Sequence, residues 1–385
     1  MCWQFDYGHS QSIRFTLSPP PVRRGCLKWT QWPAVPRRRT NPNDGWVTTS
    51  GTPRTLILGG GRPVKILITG ITGFAGSHLG DYVLAHYPSV EIHGTRRWRS
   101  KEDAADHLGG KVIFHECDIT DSHNVYRVIE KIKPDRVFHL AAQSYVPASW
   151  DSPAETFHTN VVGQCNLFEA IKHLRPSGYD PVVQIAGSSE EYGQVERDEL
   201  PIKESNPLRP LSPYAVSKVA QDYMGYQYWK SFKIRIIRTR AFNHEGPRRG
   251  EVFVVSNFAK QIVDIEKERQ RPAVSVGNLD AIRDFTDVRD IVRGYWLATE
   301  HCAPGDVYNI CSGKGYAIKE VLSMLLALST RKDIKVESDP LRLRPSDVPV
   351  LIGNYAKFRE VTGWQTTIPF ERTLKDSLDY WRARG

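Results

Sequence analysis

An α/β fold, with a doubly wound parallel sheet followed by a smaller α/β unit, is predicted by three observations on this 385-residue chain. Short apolar, β-branched runs alternate with helix-length segments from Val64 onward. The first of these runs ends in a glycine turn that opens a helix. After residue 242 the alternation continues, but its loops carry repeated Arg and Asn. Strand and helix alternating in this way build a parallel sheet with helices on both faces.

The elements follow in order. Residues 64–69 (Val-Lys-Ile-Leu-Ile-Thr) form a strand, and Gly70-x-x-Gly73-x-x-Gly76 leads into a helix over 77–85. Glycine lets a pyrophosphate approach the backbone, and the helix N-terminus offers free amides at the positive end of its dipole, so this is a Rossmann-type dinucleotide site. The second strand, 90–94, ends in Thr95-Arg96-Arg97-Trp98-Arg99 where an NAD site places an acidic residue for the ribose hydroxyls. Guanidinium groups suit a 2′-phosphate instead, which favours NADP(H) over NAD(H).

Further βα units follow. A strand over 112–117 delivers Asp118 and is followed by a helix over 122–131; the strand at 136–142 opens into Gln143 and Ser144. A helix over 161–173 leads to a strand at 182–186, and the cluster Ser188-Ser189-Glu190-Glu191 lies just past it. Ligands of a parallel sheet bind beyond the carboxyl ends of the strands, so Leu140 to Gln143 and the Ser/Glu cluster both point at the site.

Tyr214 and Lys218 begin the next helix, 214–228, four residues apart. That spacing puts phenol and ammonium on one face, where the cation is expected to stabilise phenolate and depress the tyrosine pKa. Alone, the pair would read as a surface Tyr/Lys contact. With a nucleotide site and a Ser/Glu cluster beside it, the pair becomes a proton donor and acceptor for alcohol and carbonyl chemistry. After a strand at 234–238 come Arg240 to Gly250, a helix over 255–269, the stretch Gly277 to Phe285, and Leu343-Arg344-Pro345-Ser346-Asp347. Loop arginines match phosphate oxygens in pairs, so this half suits a nucleotide diphosphate. Helices over 288–299 and 318–328 show core periodicity; Tyr295 and Trp296 are given no site role, and His139 and His244 are taken as structural.

Together these motifs, over roughly residues 64–381, resemble the extended short-chain dehydrogenase/reductases of the nucleotide-sugar branch, and within it the GDP-mannose 4,6-dehydratases and GDP-4-keto-6-deoxy-mannose reductases. The resemblance implies a catalytic set of Ser188, Tyr214 and Lys218. It implies cofactor contacts from Gly70, Gly73, Gly76, Arg96, Asp118 and Ile119, with which Thr72, Phe74, Leu140, Ala142 and Lys218 are grouped. Asn160 is expected near the cofactor and, with Gln143, on the substrate side. Asn243, Arg248, Arg283, Arg344 and Asp347 are assigned to the GDP-sugar. A homodimer or homotetramer is implied, built on the Tyr214 helix and the helix before it.

Composition removes other classes. Residues 1–63 hold nine Lys/Arg against Asp6 and Asp44, so +7 of the net +9 lies there and the remainder carries only +2. A nucleic-acid surface is not expected, and no apolar stretch approaches the ~20 residues of a membrane helix. Six scattered cysteines show no metal spacing, so no metal is expected and a reducing, cytoplasmic setting is the default. The expected organisation is a disordered basic extension at 1–63, an NADP-binding domain at 64–242 rejoined by a segment near 275–300, and a mainly nucleotide-sugar-binding domain at 243–385.

Two enzymes fit best. A 4,6-dehydratase needs a carboxylate base at C5, and Glu190 stands where the dehydratase motif Thr-Ser-Glu has its glutamate; this is the favoured reading. A 4-keto reductase needs only NADPH, Tyr214 and Ser188, and GSSEEYG resembles that branch; an epimerase ranks lower. A non-catalytic NADP-binding regulator would be expected to lose Ser188, Tyr214 or Lys218, and all three are present. The extension is expected to be a leader translated in error, with the native start near Val64. Mass spectrometry of cell extract should then return no peptide from residues 1–60; finding them would overturn that expectation.

Overall fold

The computed structural model describes residues 62–98, 104–343 and 348–384. The extension up to residue 61, Arg99, and the expected substrate residues Arg344 and Asp347 lie outside them.

The chain begins with β1 (Lys65–Thr69), α1 (Phe74–His86), β2 (Glu91–Arg96), β3 (Ile113–Glu116), α2 (Ser122–Ile132) and β4 (Arg136–His139). Two short helices, α3 (Val146–Asp151) and α4 (Pro153–Phe157), and a π-helical turn at His158–Val162 lead into α5 (Gly163–Leu174). β5 (Val182–Ser188), α6 (Pro213–Phe232) and β6 (Arg235–Ala241) follow. Beyond them come β7 (Asn243–Glu245), α7 (Val254–Glu266), β8 (Ala273–Val276), β9 (Ile282–Asp287), α8 (Val288–His301) and β10 (Val307–Ile310). The chain closes with β11 (Gly315–Ala317), α9 (Ile318–Ala327), β12 (Lys335–Ser338), β13 (Val350–Leu351), α10 (Ala356–Thr362) and α11 (Phe370–Arg384).

Among the described residues the main sheet has seven strands in the order β10-β6-β5-β4-β1-β2-β3, and every pairing is parallel. Helices cover both faces, so β1 (KILIT) is apolar on both sides rather than alternating. One face packs Ile66 and Ile68 against Leu79 and Val83 of α1 and against Val292 and Trp296 of α8. The other packs Leu67 and Val137 against Val125 and Ile129 of α2 and Leu167 and Phe168 of α5. α2 shows why it forms: Val125, Val128, Ile129 and Ile132 make one buried stripe, and the Asp121 side chain caps the Asn124 amide at 3.0 Å.

A smaller assembly sits beyond the carboxyl ends of the main strands. β9 pairs with β7 and β13 in parallel and with β11 antiparallel, while β8 pairs with β12. Its core joins Phe258 and Ile262 of α7, Val321 and Leu325 of α9, and Phe370 and Leu374 of α11. Residues 288–301 pack on the main sheet over β5 and β6, and β10 then adds an edge strand beside β6, which the sequence pattern did not indicate. No helix among the described residues is long and apolar enough to cross a membrane.

The first glycine turn is set by close approach. Gly70 takes φ +69°, and a side chain at Gly76 would put Cβ 2.4 Å from the Gly70 carbonyl oxygen and 2.7 Å from the Ile71 Cα. Both obstacles are backbone, so nothing flexible can yield. Gly76→Ala should therefore destabilise the fold by about 1–3 kcal/mol, read as a lowered denaturant midpoint. An unchanged midpoint would show that α1 can shift without cost.

Candidate active site

A cleft of about 1150 Å³ opens along the carboxyl ends of the main strands and continues to the smaller assembly. At one end, Gly70, Thr72, Gly73, Phe74 and Gly76 line it. Gly73 precedes α1 with extended backbone, no side chain caps the helix, and its first turn holds no acidic residue. Amides presented this way fit a pyrophosphate. The Thr69 hydroxyl fixes the adjoining floor: it accepts from the Leu140 and Ala141 amides, each at 3.1 Å, and pairs with His139 Nδ1 at 2.9 Å. Leu140 and Ala142 are thereby held at the cleft wall.

Arg96, at the end of β2, lines the cleft and lies 5.3 Å over the Phe114 ring. Asp118 accepts from the Thr120 amide at 2.9 Å and the Thr120 hydroxyl at 2.8 Å, which fixes the turn carrying Asp118 and Ile119 into the wall. The cradle, the two strand-end turns and the terminal arginine fit a dinucleotide.

At the centre, β5 delivers Ser188, and a 3₁₀ turn, Ser189–Glu191, follows it directly. The Ser188 hydroxyl accepts from the Glu190 amide at 3.2 Å and lies in hydrogen-bonding reach of the Tyr214 phenol. Ser188, Glu190, Tyr214 and Lys218 all line the cleft. The adjacent glutamates part company: Glu190 faces the cleft, whereas Glu191 is fully buried with its carboxylate 2.9 Å from Arg240 Nε.

The expected tyrosine pKa depression is not found. Burial, the largest influence, raises the Tyr214 phenol well above its ordinary value, against the Ser188 hydrogen bond. Lys218 Nζ lies 5.9 Å from the Tyr214 ring centroid and donates instead to the Ala186 carbonyl at 2.9 Å. Burial lowers the ammonium to about 8, with the Glu191 charge opposing. One helix turn brought the two side chains to the same face but did not bring their polar ends together.

On the substrate side, Gln143, Asn243 and Arg283 line the cleft. Two expected ligands do not. Asn160, fully buried, accepts from the Gln143 amide at 2.8 Å and donates to the Gln143 carbonyl at 3.0 Å and the Ser217 hydroxyl at 2.9 Å. It fixes the Gln143 backbone and Ser217 rather than meeting a ligand. Arg248 takes φ +73° and turns to Asp81 (2.6 Å) and His107 (2.9 Å), so the next residue, Arg249, enters the cleft in its place. Arg249 lies 3.5 Å over Phe253 and 4.8 Å over Phe74, and its Nε is buried without a hydrogen-bond partner.

Two cleft residues carry signals that sequence reading did not pick out. Glu245 is buried with one carboxylate oxygen unpartnered, and burial pushes it up to about 7 against the Arg249 charge. Its position two residues after Asn243, on one face of β7, was the available signal. Tyr295 of α8, set aside as core, is a buried wall of the cleft beside Tyr214. His244, taken as structural, also lines the cleft: it stacks on Phe74 with ring centroids 5.9 Å apart, and its Nδ1 meets the Phe242 carbonyl at 2.9 Å.

Lys218 gives a test with a definite sign. Its folded pKa lies below its unfolded value of 10.5, so its stabilising contribution exists above pH 10.5 and is lost as pH falls to about 8. At neutral pH the buried charge is a cost. Lys218→Met should stabilise the ligand-free protein by about 1–3 kcal/mol at pH 7, an advantage that shrinks as pH rises from 8 toward 10.5. A variant less stable than wild type at pH 7 in urea titration would refute this.

The family model described as GDP-mannose 4,6 dehydratase matches residues 67–377. The GDP-6-deoxy-D-mannose reductase of Pseudomonas aeruginosa is 31% identical over 321 residues, covering 83% of this chain and 98% of its own. The GDP-mannose 4,6-dehydratase of Vibrio cholerae is 32% identical over 351 residues, covering 82% and 92%. Among solved structures, RMD from Pseudomonas aeruginosa complexed with NADPH superposes with a TM-score of 0.70 at 30% identity, over 84% of this chain and all of that one. UDP-glucose 4-epimerase from Thermotoga maritima gives 0.74 at 26% identity over 83% and 99%.

Proposed function

The chain belongs to the GDP-mannose 4,6-dehydratase family, and from that premise we propose that it converts GDP-mannose into GDP-4-keto-6-deoxy-mannose with bound NADP. The observation that carries this reading is the parting of Glu190 from Glu191: one carboxylate of the pair faces the cleft, in the same turn as Ser188 and on the same wall as Tyr214. A reductase has no use for a base there; a dehydratase does.

A nicotinamide held in the cleft would supply the hydride chemistry, accepting from C4 and returning to C6 in a dehydratase, or donating to a 4-ketone in a reductase. Gly70, Gly73 and the start of α1 would hold its pyrophosphate, and Arg96 and Arg97 support the 2′-phosphate form over NAD. Tyr214 takes the C4 hydroxyl proton, and Ser188, in reach of the phenol, holds that oxygen in line. Lys218, a cation fixed on the Ala186 carbonyl, favours the phenolate as it forms. Glu190 removes the C5 proton made acidic by the neighbouring ketone and passes it to the C6 hydroxyl, which then leaves as water as the C5–C6 double bond forms. Asn243, Arg249 and Arg283 are suited to the diphosphate, sugar hydroxyls and cofactor amide between them. The free cysteines among the described residues, Cys117, Cys165, Cys302 and Cys311, support a cytoplasmic setting, and exposed Val216, Tyr223 and Tyr226 on α6 support a homodimer.

The second reading, reduction of the 4-ketosugar by NADPH, is favoured by the reductase relative and by the GSSEEYG turn it resembles. One pair of assays separates them. GDP-mannose with catalytic NADP+ should yield a product lighter by one water, whereas product only from ketosugar plus NADPH would reverse the assignment. Tyr214→Phe should lower turnover by about 10²–10⁴-fold in either case. Glu190→Gln should abolish water loss while leaving ketosugar reduction intact, and equal loss of both would remove Glu190 from the base role.

A further inference from the structure

We propose that Glu191 is a positioning residue, a buried clamp that fixes the Ser188–Glu190 turn against the helix carrying Tyr214 and Lys218. The inference rests on reading Ser188, Glu190 and Tyr214 as the reacting set. One Glu191 oxygen accepts from the Ser188 amide at 2.7 Å, closing a capping box around the turn. The other accepts no hydrogen bond but lies in ion-pair contact, 2.9 Å from Arg240 Nε. That same Nε lies 3.0 Å from Asp222, which sits on α6 one helical turn beyond Lys218. Asp222 also pairs with Arg238, whose second terminal nitrogen donates to the Gly305 carbonyl at 3.0 Å. Arg240 donates further to the Tyr192 hydroxyl at 3.0 Å, and Tyr192 to Asn309 at 2.7 Å.

The Glu191 carboxylate of the turn, the Asp222 carboxylate of α6 and two guanidiniums of β6 thus lie buried together, joining the turn, β6 and α6. Buried ion pairs of this kind contribute little net stability relative to apolar packing, so energy alone does not account for them. Geometry does. The ion pair fixes distance, and the hydrogen bonds to the Ser188 amide, Asp222 and Tyr192 fix direction, where apolar contacts allow sliding. Space has been cleared for the clamp as well, because a Cβ at Gly187 would lie 2.5 Å from the Glu191 carboxylate. Burial and the Asp222 charge push Glu191 upward, while Arg240, held between two carboxylates, stays charged.

The test separates positioning from bulk stability and from the activity reading. Hydrogen exchange resolved to residues 187–192 should accelerate about tenfold or more in Glu191→Ala, and stay near wild type in Glu191→Gln, which keeps an acceptor for the Ser188 amide. In the assay that wild type supports, Glu191→Ala should lose about a hundredfold in kcat with KM little changed, and Glu191→Gln should restore most of it. If Glu191→Ala does not fold, Glu191→Met, which refills the space without an oxygen, replaces it. A folded Ala or Met variant that exchanges and turns over like wild type overturns the clamp, as does a Gln variant as impaired as Ala. If wild type turns over neither GDP-mannose nor the ketosugar, the functional reading fails, while the exchange measurement still decides whether Glu191 holds the turn.

Discussion

α6 buries Tyr214, Ser217, Lys218, Gln221 and Asp222 against the sheet, where a crossover helix would ordinarily present leucine and valine. Every one of those polar groups must find a partner or cost free energy, and much of the surrounding structure is arranged around that demand. Lys218 takes the Ala186 carbonyl, Ser217 receives Asn160 and donates to the Tyr214 carbonyl at 2.6 Å, and Gln221 is matched by Gln164 at 2.9 Å. Asp222 draws two arginines out of β6. The partners outside α6 come from β5, the π-helical turn, α5 and β6, so the helix is held to the sheet from several directions at once. The polar face that brings Tyr214 and Lys218 to the cleft is also what fixes the register of the site.

Much of this was legible in the sequence because local rules govern it. The glycine turn is enforced by backbone contacts a few residues apart, and the apolar strands follow from helices on both faces. Ser188, Glu190, Tyr214 and Lys218 converge because strand ends and the helix that follows are adjacent in any parallel sheet. What was missed depends on single torsions or on distant partners. Arg248 and Arg249 cannot be told apart by type; a positive φ at Arg248 decides which one faces the cleft. Asn160 carries the residue type of a ligand, but its partners lie 17 and 57 residues away. Tyr295 sits on a helix whose periodicity is that of core, and β10 is too short to announce a return to the main sheet. The direction of the Tyr214 shift was misjudged because spacing shows which charges are near, not how little water is.

On the proposed reading the two family chemistries use Ser188, Tyr214 and Lys218 alike, so resemblance across the whole chain does not separate them. They would part on what Glu190 does rather than on whether it is there, since the GSSEEYG turn that carries it resembles the reductase branch as well. That turn is built so that its two glutamates serve different ends: one exposed to the cleft, the other spent on the scaffold.

The passage from β6 to β7 has a mechanical consequence. Phe242 is the one residue between a main-sheet strand and a strand of the smaller sheet; it is buried, and its amide is bonded to Ile310 at 2.9 Å. A main chain pinned on both sides of a single buried residue has almost no torsional freedom. The two sheets therefore cannot swing about this connection as jaws about a hinge. At this point the two walls of the cleft are joined through one buried residue, with no linker between them to act as a hinge.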